Sequence, residues 1–420
     1  MPQEIQSKSI YHGLPIFPDD TEGLTAIVTG SNGISGAYQL KVLCESPRRW
    51  KKIYALSRRP PHGSWPGNVE HLSVDLLQPP EQVAAQLAER NIRADYVFFF
   101  AYIQPVPRDG GGIWSAEDEM VRLNKHLLSN FLEGLELNNT IPKRVLLQLG
   151  AKYYGLHHGP GIPPQEESDP RILIGPNFYY DQEDYLRSFT KKHQIGWNTT
   201  RPSHIAGAVP DAAMNLCYPL AVYATIQKYL NKPLEYPGDL IAWESHTTIS
   251  TAQANAYLAE WAVLTKQAEN ESFNASDDCL FTWAKFWPQL AKRFKMPWTG
   301  PDTSDDAQYR TITSPAPPPR GYGPPGRSRY RFTLAEWAKK PEIQKAWSEV
   351  SERHDLREKK FREIDRIFGF TDLAITAGQS IMLSTTKAKK MGYFGFVDSV
   401  ESMLRVVEEF AEMGMIPELP

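Results

Sequence analysis

The segment AIVTGSNGISGAYQL, residues 26 to 40, restricts the fold more than any other part of this chain. Ala26, Ile27 and Val28 form a short apolar run. Gly30, Gly33 and Gly36 follow in a G-x-x-G-x-x-G spacing, and helix-forming residues begin at Tyr38. The pattern encodes strand, tight turn and helix. Glycine lets the backbone turn sharply and approach a pyrophosphate closely, and free N–H groups at the new helix's start attract negative charge. An ordinary glycine turn shares the spacing; the strand before it and the helix after it favour the nucleotide reading.

Strand and helix patterns alternate through the first half. Candidate strands are LTAIVTG, KKIYALS, VEHLSVDL, ADYVFFFAYI, KRVLLQLGA and GWNTTRPSHI, with helical segments such as PPEQVAAQLAERN and MVRLNKHLLSNFLEGLELN between them. This predicts an α/β chain of Rossmann type over residues 20–205, a doubly wound parallel sheet with helices on both faces. From residue 206 the pattern lengthens into YPLAVYATIQKYLNK and TTISTAQANAYLAEWAVLTKQ, which predicts a mainly helical C-terminal substrate-binding cap, 206–420, over the sheet edge where ligands bind in such folds. ESFNASD, 271–277, is expected to return to the sheet as one more strand. Residues 301–330 hold so much proline and glycine that a mobile insertion is expected there.

The end of the second strand separates the nucleotides. An NAD-preferring site places an Asp or Glu there for the ribose 2′-hydroxyl, whereas this chain has Ser57, Arg58 and Arg59. Guanidinium groups pair with a 2′-phosphate through charge-assisted hydrogen bonds, so the expected cofactor is NADPH/NADP+. A solvated strand edge is the competing reading of the Arg pair.

Composition narrows the remaining classes. A net charge of −3 gives no electrostatic reason for a nucleic-acid partner. Cys44, Cys217 and Cys279 lie far apart without a C-x-x-C pair, so neither a metal site nor a disulfide framework is indicated. MPQEIQSKSIYHG lacks the apolar core of a signal peptide, and no apolar run approaches the length of a membrane span. A cytoplasmic enzyme without membrane insertion is the expectation, with a homodimer left open.

Successive motifs then carry a resemblance. TGSNGISG, SRRP, LQLGAKYYG, NFYYDQEDYL, TTRPSHIAG, AMNLCYPLAVYA and ESFNASDDCLFTWAKFWPQLAKRF look like those of the progesterone 5β-reductase and iridoid synthase family, atypical extended short-chain dehydrogenases/reductases. The match runs from Ala26 to Met296, with a weaker continuation to GMIP. Asn177-Phe178-Tyr179-Tyr180-x-x-Glu183-Asp184 is the most specific block, because ordinary members of the superfamily have Tyr-x-x-x-Lys there. The resemblance implies NADPH-dependent reduction of an activated C=C bond in a small hydrophobic carbonyl compound, in secondary metabolism.

The residue chemistry agrees. In ordinary members a Tyr and a Lys at i and i+4 share a helix face, the cation lowering the phenol's pKa. Here Glu183 stands at i+4 from Tyr179, so the cation must come from elsewhere, and Lys152 matches the family's catalytic lysine. Tyr179 and Lys152 are therefore the expected catalytic pair, both also touching cofactor. The resemblance adds cofactor contacts at Thr29, Gly30, Asn32, Gly33, Ile34 and Gly36, and at Asp75 and Leu76 near the adenine. Phe100 and Ala101 are expected along the adenosine or pyrophosphate path, and Gln148, Pro202 and Ile205 near the nicotinamide. Tyr102, Tyr153, Met214 and Asn215 are the expected substrate residues. AYIQPVPRDGGGIWSAED replaces the plant enzymes' Thr-Trp turn, and the proline-rich insertion has no family counterpart, so steroid or iridoid substrates are not carried over. Ketone or aldehyde reduction, a non-reductive isomerase or cyclase, and a nucleotide-sensing regulator stay open at this point.

Overall fold

The computed structural model describes residues 4–18, 21–108, 114–304 and 307–420. An N-terminal hairpin, β1 (Ile5–Lys8) and β2 (Tyr11–Pro15), precedes β3 (Leu24–Thr29) and α1 (Ile34–Cys44). Next come β4 (Trp50–Ser57), β5 (Val69–Ser73), α2 (Pro80–Glu89), β6 (Tyr96–Phe99), α3 (Glu117–Leu137) and β7 (Arg144–Gln148). A 3-10 turn, Ala151–Tyr154, leads toward α4 (Phe178–His193), β8 (Gly196–Pro202) and β9 (His204–Ala206). The chain continues through α5 (Cys217–Tyr229), β10 (Leu234–Glu235), α6 (Leu240–Glu244), β11 (Ile249–Thr251), α7 (Ala252–Leu264), β12 (Glu271–Ala275), α8 (Trp283–Arg293) and β13 (Trp298–Thr299). It ends with β14 (Arg310–Thr313), β15 (Arg327–Tyr330), α9 (Leu334–Ala338), α10 (Pro341–Arg353), α11 (Ile364–Thr376), α12 (Thr386–Lys390) and α13 (Ser399–Glu412).

Among the described residues, seven parallel strands form one sheet in the order β12-β8-β7-β6-β3-β4-β5. Period-two alternation sorts its side chains. Ile27, Val97, Phe99, Val145 and Leu147 pack with Leu87, Phe131 and Leu186 of α2, α3 and α4. Ala26, Val28, Phe98 and Leu146 pack with Leu40 of α1 and Trp261 of α7. Both faces are apolar, so both need a helical layer. The strand order reverses beside β3, which puts the glycine turn at the sheet's switch point, where a crevice opens. A third core, built around Trp287, Trp347, Phe368 and Met403, holds the helices beyond the sheet together.

The expected returning strand is β12, paired with β8. Segments beyond the expected division at 206 also pack against the sheet. α7 covers one face of the sheet, Ala388 and Tyr393 join the same core, and Tyr11 and Leu14 of the N-terminal hairpin pack on Tyr257 and Val397. The helix expected from TTISTAQ begins only at Ala252; Ile249–Thr251 before it pair in parallel with β9. Residues 301–330, apart from 305 and 306, which lie outside the described residues, are more regular than their composition predicts. β14 and β15 pair antiparallel, Ser314 Oγ donates to the His158 carbonyl at 2.6 Å, and Gly378 N–H donates to the Arg327 carbonyl at 3.2 Å. Among the described residues, no helix is long and apolar enough to cross a membrane.

Candidate active site

A cavity of about 700 Å³ opens at the C-terminal ends of the central strands, between the sheet and the outer helices. Gly30 has φ +64°, and a Cβ there would stand 2.8 Å from the Phe100 carbonyl. Only glycine meets both conditions. α1 starts at Gly33 with no side-chain cap and no acidic residue in its first turn, so its leading N–H groups are available to an anion. Gln148 Nε2 donates to Ser35 Oγ at 2.9 Å, tying the end of β7 to that first turn.

Most of the expected cofactor residues share this cavity. Gly30, Asn32, Gly33, Ile34 and Gly36 line it, as do Arg58, Arg59, Phe100, Ala101 and Gln148. Pro202, Ile205, Tyr102 and Met214 line it too, together with Lys152 and Tyr179. Six expected residues stand outside its wall. Thr29 is buried behind the turn, its hydroxyl accepting from the N–H groups of Phe100 and Ala101 at 3.1 and 3.3 Å. Ser57 is also buried, its hydroxyl donating to the Arg59 carbonyl at 2.6 Å. Asp75 accepts from its own turn, Leu77 N–H at 3.0 Å, and Leu76 packs into the core. Two of the expected substrate residues, Tyr153 and Asn215, are among them. The Tyr153 ring is buried beneath the Arg201 guanidinium, 3.4 Å from the ring centroid, and its hydroxyl donates to Glu183 at 3.1 Å. Asn215 is 3% exposed because its Oδ1 accepts from Cys217 and Tyr218 N–H, both at 3.1 Å, at the start of α5.

Tyr179 and Lys152 come from different elements, and one side chain organises both. Asn177 Oδ1 caps α4 by accepting from Tyr179 N–H at 3.1 Å, while its Nδ2 donates to the Lys152 carbonyl at 2.8 Å. Tyr180 points the other way and donates to the Tyr153 carbonyl at 2.6 Å. Glu183 accepts from Tyr153 and pairs with Arg171 at 2.7 Å and with Arg201 at 3.3 Å. The carboxylate at i+4 thus fastens the lysine-bearing turn to α4. Burial alone would raise its pKa, but the Arg171 hydrogen bond and the Arg201 and Arg187 charges hold it below the usual range. Gly150 leaves room for the phenol, since a Cβ there would stand 2.7 Å from the Tyr179 hydroxyl.

Burial sets the charge state of the pair. It pushes the Tyr179 hydroxyl well up, so the group stays a donor at neutral pH. It drives the Lys152 ammonium well down, with Glu117 partly opposing. The ammonium lies 3.6 Å from the centroid of Trp114. It has no ion pair among the described residues.

The wall opposite the sheet holds residues the sequence reading did not single out. His157 and His158 follow the lysine turn, His204 lies between Pro202 and Ile205, and Trp114 and Phe370 complete the enclosure. The adjacent histidines after the LQLGAKYYG motif were the available signal. Trp114 falls in the replaced 101–118 segment, of which 109–113 lie outside the described residues. At the rim, Asp211 accepts from Arg366 of α11 at 2.8 Å and from Arg59 at 3.4 Å, linking the end of β4 to the outer helices.

Comparison with known proteins agrees with this architecture. The chain is 28% identical to a 3-oxo-Delta(4,5)-steroid 5-beta-reductase of Arabidopsis thaliana, covering 95% of each chain. It is 27% identical to an (S)-8-oxocitronellyl enol synthase of Catharanthus roseus, covering 93% of this chain and 92% of that one. The crystal structure of UDP-glucose 4-epimerase from Brucella ovis in complex with NAD matches with a TM-score of 0.58 at 13% identity, covering 95% of this chain and all of that one, and so shares its fold. The PRISE-like Rossmann-fold domain matches residues 26–311, more than half of the sequence, and the chain belongs to that family.

Proposed function

We propose that this protein is an NADPH-dependent oxidoreductase that reduces an activated C=C bond, that of an enone or enal, in a small hydrophobic carbonyl compound. The observation that carries this reading is the double use of Asn177, which fixes Tyr179 and Lys152 in the cavity that also contains the glycine turn. The turn, the uncapped start of α1 and the backbone at Phe100 and Ala101 would hold the dinucleotide, with Arg58 and Arg59 toward a 2′-phosphate. A bound nicotinamide supplies hydride. Tyr179 donates a hydrogen bond to the substrate's carbonyl oxygen as negative charge grows there, an effect worth about 3 kcal/mol for a preorganised donor. Lys152 would supply positive charge at the same end once negative charge brought near it offsets the burial that disfavours its ammonium. The relatives' names, a 3-oxo-steroid reductase and an oxocitronellyl enol synthase, agree with a carbonyl substrate.

Calorimetric titration is expected to give NADPH at least about tenfold tighter binding than NADH, and Arg58→Ala with Arg59→Ala to remove most of that preference. Equal affinities would overturn the 2′-phosphate assignment. NADPH consumption with a panel of enones, enals and ketones, with products identified by mass, is expected to yield the saturated carbonyl compounds. Consumption with simple ketones alone would favour carbonyl reduction on the same pair. Product without consumption would favour an isomerase or cyclase.

A further inference from the structure

The cap side of the cavity contains a group of rings that the proposed hydride chemistry does not use. Trp114 meets His157 with ring centroids 6.3 Å apart and Phe370 at 6.5 Å; Phe370 in turn meets His204 at 5.7 Å, all nearly edge to face. His158 lies on His157 at 3.9 Å. His157 and His204 line the cavity, yet the Nδ1 of each is buried without a hydrogen-bond partner among the described residues. Orphaned buried N–H groups are rarer than orphaned acceptors, so in each neutral ring the bare lone pair belongs on Nδ1 and the proton on Nε2. Nε2 has no protein partner among the described residues either, and it is the nitrogen left to face the cavity.

We infer that His157 and His204 form a second polar anchor for the substrate, each offering an imidazole Nε2–H donor to a neutral oxygen other than the carbonyl met by Tyr179. The substrate class that fits is a flat, conjugated carbonyl compound carrying at least one further ether, hydroxyl or keto oxygen, its ring held against Trp114 and Phe370. This rests on the proposed reductase reading. A neutral oxygen fits better than a carboxylate because burial keeps both rings uncharged in the working range. It pushes His204 down to about 4, and burial together with the Lys152 charge pushes His157 down to about 2. An uncharged donor discriminates by hydrogen bonding: a ligand lacking the oxygen leaves buried polar groups unmatched.

Benzylideneacetone and its para-methoxy derivative test this, together with their saturated ketones as unreactive ligands. Calorimetry with NADP+ present is expected to show the saturated methoxy ketone binding about fivefold or more tighter than the unsubstituted one. His204→Phe and His157→Phe should each erode that preference and together abolish it, with the unsubstituted ketone bound no more weakly than before. His204→Gln, which keeps a donor, should retain part of it. In kinetics the variants should raise KM for the methoxy enone more than they lower kcat. Nitrogen NMR of the unaltered protein should show a histidine Nε2–H shift on adding the methoxy ketone only, a readout that needs no variant to fold. Equal binding of the two ketones by the unaltered protein, or equal weakening of both in the variants, would overturn the anchor. Preferential binding of the methoxy ketone with no reduction of either enone would support the anchor and sink the reductase reading instead.

Discussion

On the sheet side of the cavity the polar groups that set the geometry are bonded to one another; on the cap side several have no hydrogen-bond partner among the described residues. Thr29 holds the backbone at Phe100 and Ala101, Asn177 holds the Tyr179 and Lys152 backbones, and Glu183 gathers Tyr153, Arg171 and Arg201. Across from them, Trp114 Nε1, His157 Nδ1 and His204 Nδ1 are buried with no hydrogen-bond partner among the described residues. Buried polar groups are normally satisfied, so the contrast has a physical meaning. The side that would receive an invariant dinucleotide has its turns and strand ends tied together before any ligand arrives, and leaves the N–H groups at the start of α1 for the ligand. The side that would receive the substrate is left for the substrate to complete.

The comparison breaks first at the pair itself. Tyr179→Phe and Lys152→Ala should each lower turnover by about 10²-fold or more, and the double variant should cost little beyond the worse single one, since both act on one oxygen. Nucleotide affinity, followed by calorimetry, should survive Tyr179→Phe and weaken in Lys152→Ala. Full activity in a folded Lys152→Ala protein would remove the lysine from the site.

Glu183 and Asp277 sharpen the comparison through pH. Glu183→Gln should cost about 2 kcal/mol in denaturant unfolding, because three guanidinium partners lose their charge-assisted acceptor. The Glu183 carboxyl lies below its ordinary 4.5 in the fold, so its contribution is present above that pH and lost as pH falls further. The glutamine variant should therefore lose less stability than the parent in acid. Asp277 behaves in the opposite sense. It is fully buried, accepts from Thr251 and Ser399, and is pushed up from 3.8 to about 7 by burial. The folded state holds this proton more tightly than the unfolded chain, so its contribution is full below 3.8 and declines as pH rises toward about 7. Asp277→Asn should flatten that decline, measured as the difference between unfolding curves at pH 5 and pH 8.

Asn177→Ala gives a smaller effect on stability, about 1 kcal/mol for a lost helix cap. Its diagnostic readout is turnover, which should fall about tenfold as the lysine turn loses its tether to α4. Unchanged turnover with reduced stability would mean that Asn177 is only a cap. The smallest expected effect lies in the hairpin. Trypsin should cut first at Arg320, beside the exposed 321–325 tip, and leave the paired Arg310 and Arg327 strands intact. Early cleavage at Arg310 would restore the expectation of a wholly mobile segment.

How far the sequence reaches differs along the chain for identifiable reasons. The glycine turn, the parallel strands and the return of β12 were legible because period-two apolar runs and glycines are local signals, each read within a few residues. Tyr153 and Asn215 stand next in sequence to the wall residues Lys152 and Met214, while Leu76 was expected from the resemblance alone, and all three are buried. Their burial depends on partners far along the chain, such as Arg201 for Tyr153. The 301–330 segment looked patternless because its order comes from pairing with its own distant strand and from bonds to His158 and Gly378, neither encoded in local composition. Glu183 was legible as a departure from the superfamily's lysine, but its task was not, since the three guanidiniums that define it approach from residues 171, 187 and 201. By itself the sequence determined the strand–turn–helix grammar, the nucleotide-type turn and the chemical identity of the Tyr179 and Lys152 candidates. Only the tertiary structure decided which side chains share the cavity and which are consumed in holding it. Both depend on long-range packing and on where each buried polar group finds a partner, and adjacency in the chain specifies neither.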